Sequence, residues 1–232
     1  MRWEPVLHEL RASVRPELAL WPDQTRSPAS VALLAGSFDP ITIAHAAMAE
    51  AALRRSERVV LVYSVRTLPK EGEPGAPLLS EPERLAWLER FRQGRGRVAI
   101  GVSSHGLLAD QVLAATERFP GAAVSLVVGS DKLLQLLDPN WYEDVDATLA
   151  RLFERARILY TTRAGEGRAI EDALAALDER WRSRIEPLAV PPGIAAVASR
   201  HVRDGLRRGE DVASLVPEEV RPLLAQLSRA PG

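Results

Sequence analysis

The chain has 232 residues, of which 46% are hydrophobic and 26% charged, and its formal net charge is -1. That is enough chain to bury a substantial core, its composition is that of an ordinary globular domain, and no global basic field exists to draw in nucleic acid. The absence of cysteine excludes disulfides, thiolate metal sites and a cysteine nucleophile, and no apolar run reaches the roughly 18 residues needed to cross a bilayer.

Residues 1–30 hold Trp3, Pro5, Pro16, Trp21, Pro22 and Pro28. Val6 to Val14 has the pattern of a short amphipathic helix and Pro22 to Ser30 reads as a loop, so residues 1–30 are treated as an N-terminal extension. Its expected role is to pack on the edge of the domain that follows or on another subunit, which leaves a homo-oligomer open. The domain proper is read as residues 31–232, including a C-terminal helical segment.

From Val31 onward apolar runs alternate with helical patterns, the signature of a doubly wound α/β fold with a parallel sheet covered on both faces. Strands are expected at Val31–Ala35, Val59–Tyr63, Val98–Val102, Val124–Val128 and Ile158–Thr162, with a weaker one near Ile185–Val190. Helices are expected at Ile43–Arg55, Glu81–Gln93, Leu107–Arg118, Lys132–Leu137, Ala147–Arg155 and Ala169–Arg180. Leu68 to Pro77 is rich in Pro and Gly and long enough to cover a site. Trp87 and Trp181 fall within helical patterns and are read as core or partly buried.

The most informative stretch follows the first of these strands: Gly36-Ser37-Phe38-Asp39-Pro40-Ile41-Thr42-Ile43-Ala44-His45. Gly and Pro break the apolar run into a tight turn, and a helical pattern begins directly after it. Free N–H groups and the positive end of a helix dipole make such an entrance a phosphate site, and Gly36 lets a phosphate approach the main chain. The block is neither a P-loop nor G-x-G-x-x-G. It resembles the first motif of the nucleotidyltransferase superfamily, Gly-x-Phe-x-Pro-x-(His/Thr)-x-Gly-His. Phe38, Pro40, Thr42 and His45 stand in register with it, and Ala44 replaces its second Gly.

The other motifs also fall just after strands, where a doubly wound sheet holds its ligands. Gly129-Ser130-Asp131 closes the fourth expected strand; Asp131 either caps the next helix or accepts hydrogen bonds from a ribose. Trp141, in Asp138-Pro139-Asn140-Trp141-Tyr142, offers a flat face for stacking an aromatic ring. Ala198-Ser199-Arg200-His201-Val202-Arg203 resembles the superfamily's second motif, with Ala198 and Arg200 where hydroxyl residues are usual. Together with Thr162-Arg163-Ala164-Gly165 and Arg208-Gly209-Glu210-Asp211, these segments are similar to nicotinamide/nicotinate mononucleotide adenylyltransferases over about residues 31–228. Two departures concern the acceptor: only Pro69-Lys70 remains of a Pro-Pro-His-Lys loop, and His105-Gly106-Leu107-Leu108 replaces a threonine-bearing turn.

The resemblance implies adenylyl transfer from ATP, accompanied by Mg²⁺, to the 5′-phosphate of a pyridine mononucleotide. With no apolar run of membrane-spanning length and no signal-peptide core at the N-terminus, a cytoplasmic protein with no membrane partner is expected. The resemblance also names the site. It assigns His45, Thr42 and Arg203 as catalytic residues, with Arg203 and Ser199 clamping the outer phosphates. Gly36, Ser37, Phe38, Gly129 and Asp131 would bind the nucleotide, and Trp141, Lys70 and Arg163 the acceptor. No residue is assigned as a protein metal ligand. Gly-Ser-Phe-Asp-Pro-Ile-Thr also begins pantetheine-phosphate adenylyltransferase, so another phosphorylated acceptor stays open, as do a CTP-using relative and a catalytically weak nucleotide-binding module.

Overall fold

Strands and helices alternate along the computed structural model, which describes residues 3–23, 27–66, 77–138, 144–163 and 165–227. Seven strands form one sheet: β1 (Leu18–Trp21), β2 (Ser30–Ala35), β3 (Arg58–Ser64), β4 (Val98–Ser103), β5 (Ala123–Gly129), β6 (Ala156–Thr161) and β7 (Ile185–Pro187). Their spatial order is β1-β4-β3-β2-β5-β6-β7. Strands β2 to β7 run parallel, and β1 joins the edge antiparallel to β4, with Leu18 opposite Ser103 and Trp21 opposite Ile100. Parallel strands buried on both faces are near-continuously apolar. Every residue of β4, and all of β3 after Arg58, is accordingly buried.

Helices cover both faces. On one lie α1 (Trp3–Ala12), α2 (Ile43–Leu53), α3 (Glu81–Arg92), α10 (Ser199–Arg207) and α11 (Arg221–Leu227), with Trp3, Leu7, Met48, Leu88, Phe91 and Val202 in a shared core. On the other lie α4 (Leu108–Arg118), α5 (Ser130–Leu137), α6 (Val145–Phe153) and α7 (Gly167–Ala175), meeting through Val112, Phe119, Leu133, Leu152, Phe153 and Ile170. Short helices α8 (Glu179–Arg182) and α9 (Pro192–Ala195) and two 3-10 turns, at Ala213–Leu215 and Glu218–Val220, complete the helical set among the described residues.

Three elements differ from the sequence reading. Strand β1 falls in a segment to which no element was assigned, because four residues hemmed by Pro16 and Pro22 carry little periodic signal. The helix expected over Ala169–Arg180 breaks after Ala175, and Asp178 starts a new one by accepting the Arg180 N–H at 2.9 Å. The weak strand at Ile185–Val190 ends at Pro187. Residues 3–21, set apart in the sequence as an extension, pack on the edge of this same sheet: Trp3, Leu7 and Leu10 enter the core and β1 extends the hydrogen-bonded ladder.

Strand order reverses between β2 and β5, the central pair. Their carboxyl ends open beside each other at Gly36 and Gly129, the place where a doubly wound sheet leaves a crevice.

Candidate functional site

The turn after β2 is held from several sides. Gly36 N–H donates to Val62 O at 3.1 Å, continuing the pairing with β3. Phe38 has φ 46°, left-handed backbone that a bulky residue adopts only when its surroundings impose it. Its ring is fully buried and lies directly beneath Gly36, where a Cβ would come within 3.0 Å of it. Gly36 is therefore needed for fit as well as for approach of a ligand. The same ring meets the His45 imidazole at 5.1 Å between centroids, tilted by 58°.

Thr42 is the N-cap of α2, and His45 occupies the third helical position. The Thr42 N–H donates to His45 Nδ1 at 3.1 Å, and Thr42 Oγ1 lies 2.9 Å from the same nitrogen. A backbone amide has only a hydrogen to offer, so Nδ1 is an acceptor and the ring hydrogen sits on Nε2. Thr42 is wholly buried and does not face the cleft. It acts through His45, fixing its tautomer and orientation.

Asp39, unassigned in the sequence, is the hub behind the turn. Its buried carboxylate accepts the N–H groups of Leu78 at 3.1 Å and Leu79 at 2.8 Å. Arg84 Nη2 and Arg203 Nη1 each lie 3.6 Å from Asp39 Oδ2, and both arginines are buried. Arg84 also donates to Leu79 O at 2.9 Å and Ser37 O at 3.3 Å, and Arg203 donates to Asp39 O at 2.9 Å. One buried carboxylate thus ties the turn to the start of α3 and to α10.

A single cleft at the switch point is lined by Gly36, Ser37, His45, Gly129, Asp131, Arg163 and Ser199 among the residues singled out in the sequence. Phe38 and Thr42 support it from beneath. Arg203, expected to clamp phosphates, does not line it: its guanidinium is spent on Asp39 inside the turn. Ser199 lines the cleft, but its hydroxyl donates to Pro40 O at 2.8 Å. Trp141 and Lys70 lie outside the described residues.

Across the cleft, Asp131 Oδ2 pairs with Arg163 Nη1 at 3.3 Å, and a Cβ on Gly129 would come within 2.7 Å of Asp131 Oδ1. Fully buried Ser130 donates to Glu166 and accepts the Arg163 N–H at 3.1 Å, which fixes the backbone carrying Arg163. Lys132 and Arg200 also line the cleft; the sequence gave Lys132 no role there and Arg200 only that of an extra guanidinium offsetting lost hydroxyl donors.

Helix α10 begins as α2 does, with the Ala198 N–H donating to His201 Nδ1 at 3.2 Å. His201 titrates below its ordinary range because of partial burial first, then the Arg200 and Arg163 guanidiniums, with Asp204 opposing them. The amino termini of α2, α5 and α10 all open on this cleft, and α2 and α10 carry no acidic residue in the first turn. Such an arrangement holds anionic oxygens and, through a fixed Nε2–H, can donate to charge that develops on them.

Residues 33–166 match the cytidylyltransferase-like family. A relative from Chromohalobacter salexigens, named a probable nicotinate-nucleotide adenylyltransferase, is 30% identical over 219 residues, covering 86% of this chain and 95% of its own length. One of the same name from Lachnoclostridium phytofermentans is 26% identical over 199 residues, 82% of this chain and 94% of that protein. A crystal structure from Vibrio parahaemolyticus, of a candidate nicotinate-nucleotide adenylyltransferase, superposes with a TM-score of 0.53 at 17% identity, over 84% of this chain and 98% of that one.

Proposed function

The chain belongs to the cytidylyltransferase-like family of nucleotidyltransferases, and on that premise we propose that it transfers the adenylyl group of ATP to the 5′-phosphate of nicotinate mononucleotide. The products are deamido-NAD and pyrophosphate. The observation that carries the reading is the cleft itself: three helix amino termini, Arg163, Arg200, Lys132 and His45 converge on the crevice where β2 and β5 part. The names of the full-length relatives supply the acceptor.

A phosphate oxygen of the mononucleotide attacks the α-phosphorus of ATP, the bond to the β-phosphate bridging oxygen breaks, and pyrophosphate leaves with that electron pair. The nucleophile is already ionised near neutral pH, so no general base is required. Catalysis then rests on alignment and on stabilising charge spread over the phosphoryl oxygens. His45 donates its Nε2–H to an α-phosphate or bridging oxygen, and the Phe38 ring and Thr42 amide hold the imidazole ready so that little reorganisation is needed. Gly36 and Ser37 bring main-chain groups to the phosphates, and Asp131 accepts from the nucleotide.

Mg²⁺ enters as part of the substrate, on the phosphate oxygens of ATP. Among the described residues no group of three or more His, Cys, Asp or Glu side chains is placed to hold a metal ion. No helix among the described residues is long and apolar enough to span a membrane.

The test is pyrophosphate release from ATP and Mg²⁺ with nicotinate mononucleotide, nicotinamide mononucleotide or pantetheine phosphate as acceptor. The highest kcat/KM is expected with nicotinate mononucleotide. Turnover confined to pantetheine phosphate, or ATP binding without turnover on any acceptor, would refute the assignment.

A further inference from the structure

The second motif of this chain differs from its family's in what it can give a polyphosphate. Arg203 is withdrawn into the turn, and the Ser199 hydroxyl is committed to Pro40 O. Position 198 is an alanine and position 200 an arginine, where hydroxyl residues are usual. The donors expected to hold the outer phosphates are thus occupied or missing, while adenylyl transfer still requires pyrophosphate to be held as it departs.

We propose that Arg200 grips the β- and γ-phosphates of ATP, and the pyrophosphate formed from them, in the role that Arg203 has vacated. This rests on the adenylyl-transfer reading above. Arg200 stands in the first turn of α10, lines the cleft, is exposed, and makes no hydrogen bond or ion pair with another side chain among the described residues. The other two cations there are already engaged: Arg163 is paired with Asp131, and Lys132 has a partner.

The position of Arg200 is electrostatically unfavourable without an anion. A cation in the first turn opposes the helix dipole, and no acidic residue of that turn offsets it. After partial burial, Arg200 and then Arg163 contribute to lowering the titration of His201. Polyphosphate relieves this repulsion by neutralising both cations. A guanidinium also offers two parallel N–H donors, so one side chain can replace the two donors lost from this helix start.

The experiment is calorimetric binding of ATP and of inorganic pyrophosphate to the full-length protein and to Arg200→Ala, Arg200→Lys and Arg203→Ala, with melting curves for each. Arg200→Ala is expected to weaken both ligands about tenfold, the loss of one charge-assisted contact at a partly wet site, and to leave nicotinate mononucleotide binding and the melting temperature unchanged. Arg200→Lys should recover part of the affinity, keeping the charge without the fork. Arg203→Ala should lower the melting temperature. Wild-type affinity of Arg200→Ala for ATP and pyrophosphate overturns the proposal, marking Arg200 as a solvated surface cation. The functional reading fails separately, if the wild-type protein releases no pyrophosphate with any mononucleotide whatever Arg200 does.

Discussion

At the scale of single residues, His45 carries the sharpest expectation. Its Nδ1 is satisfied by Thr42 and its ring is wedged against Phe38, so Nε2–H is delivered to the cleft already oriented. Removing one such preorganised donor typically costs about 10²–10³ in kcat. His45→Ala should therefore lose about a hundredfold or more in turnover, with a much smaller change in KM for ATP; steady-state kinetics decides it, and near-normal kcat would remove His45 from the chemistry.

His201 gives a different test at the same scale. Its folded pKa lies below the ordinary 6.5 through partial burial, then Arg200 and Arg163. When the folded value is the lower one, the unfolded chain binds more protons as pH falls, so the contribution to stability is whole above about pH 6.5 and fades below it. Polyphosphate in the cleft offsets the two guanidiniums and raises this pKa, so His201 takes up protons when ATP binds in mildly acidic solution. Calorimetry at pH 6 in buffers of different ionisation enthalpy should show more proton uptake by the wild type than by His201→Gln. Equal uptake would mean that bound phosphates do not approach His201.

What could be read in advance at this scale follows from how local each signal is. Gly36, Phe38 and His45 sit within ten residues of one another in fixed register, so their arrangement was legible in the chain. The occupation of Arg203 was not, because its partner Asp39 stands 164 positions away. A flexible guanidinium reaches whichever acceptor the fold delivers, and no spacing rule announces which. The bond from the Ser199 hydroxyl to Pro40 O was hidden for the same reason, its acceptor being 159 positions distant.

At the scale of elements, the Asp39 hub fastens three segments together: the turn after β2, the start of α3 and the middle of α10. The two buried guanidiniums depend on one negative charge, and breaking a buried pair by deleting one member typically costs about 3–5 kcal/mol. Asp39→Asn is nearly isosteric; it removes the charge and replaces one of the two oxygens that accept from Leu78 and Leu79 with an NH2 donor. It should destabilise the protein by about 3 kcal/mol in chemical denaturation and lower kcat as the turn loses its anchor. A variant that melts and turns over as the wild type does would show that the turn needs neither the charge nor the second of the two backbone hydrogen bonds to this side chain. The alternation of strands and helices was legible because buried parallel strands must be apolar on both faces, and β2 to β6 match the expected runs within about two residues. Strand β1 was not, since a four-residue edge strand takes its stability from pairing with β4 rather than from its own pattern.

At the scale of the whole molecule, the N-terminal residues and the cleft serve different ends of one architecture. The cleft lies where β2 and β5 diverge, whereas α1 and β1 lie toward the far edge of the sheet, beside β4. Leu7 is 2% exposed and packs in the same core as Leu88 and Phe91. Nearby, Trp3 Nε1 donates to Glu89 at 2.9 Å, and Arg66 Nη2 donates to Arg11 O and Ser13 O, each at 2.9 Å, anchoring the carboxyl end of α1 to the residues after β3. Leu7→Ala leaves a cavity in a core shared by several elements, a change that costs about 3 kcal/mol. For a chain of this size the melting temperature should fall by about 6–12 °C. KM for ATP in the folded protein should stay as it is, because no residue of α1 lines the cleft. Loss of ATP affinity without loss of stability would mean that this segment reaches the site, and would join the two ends that the fold keeps apart.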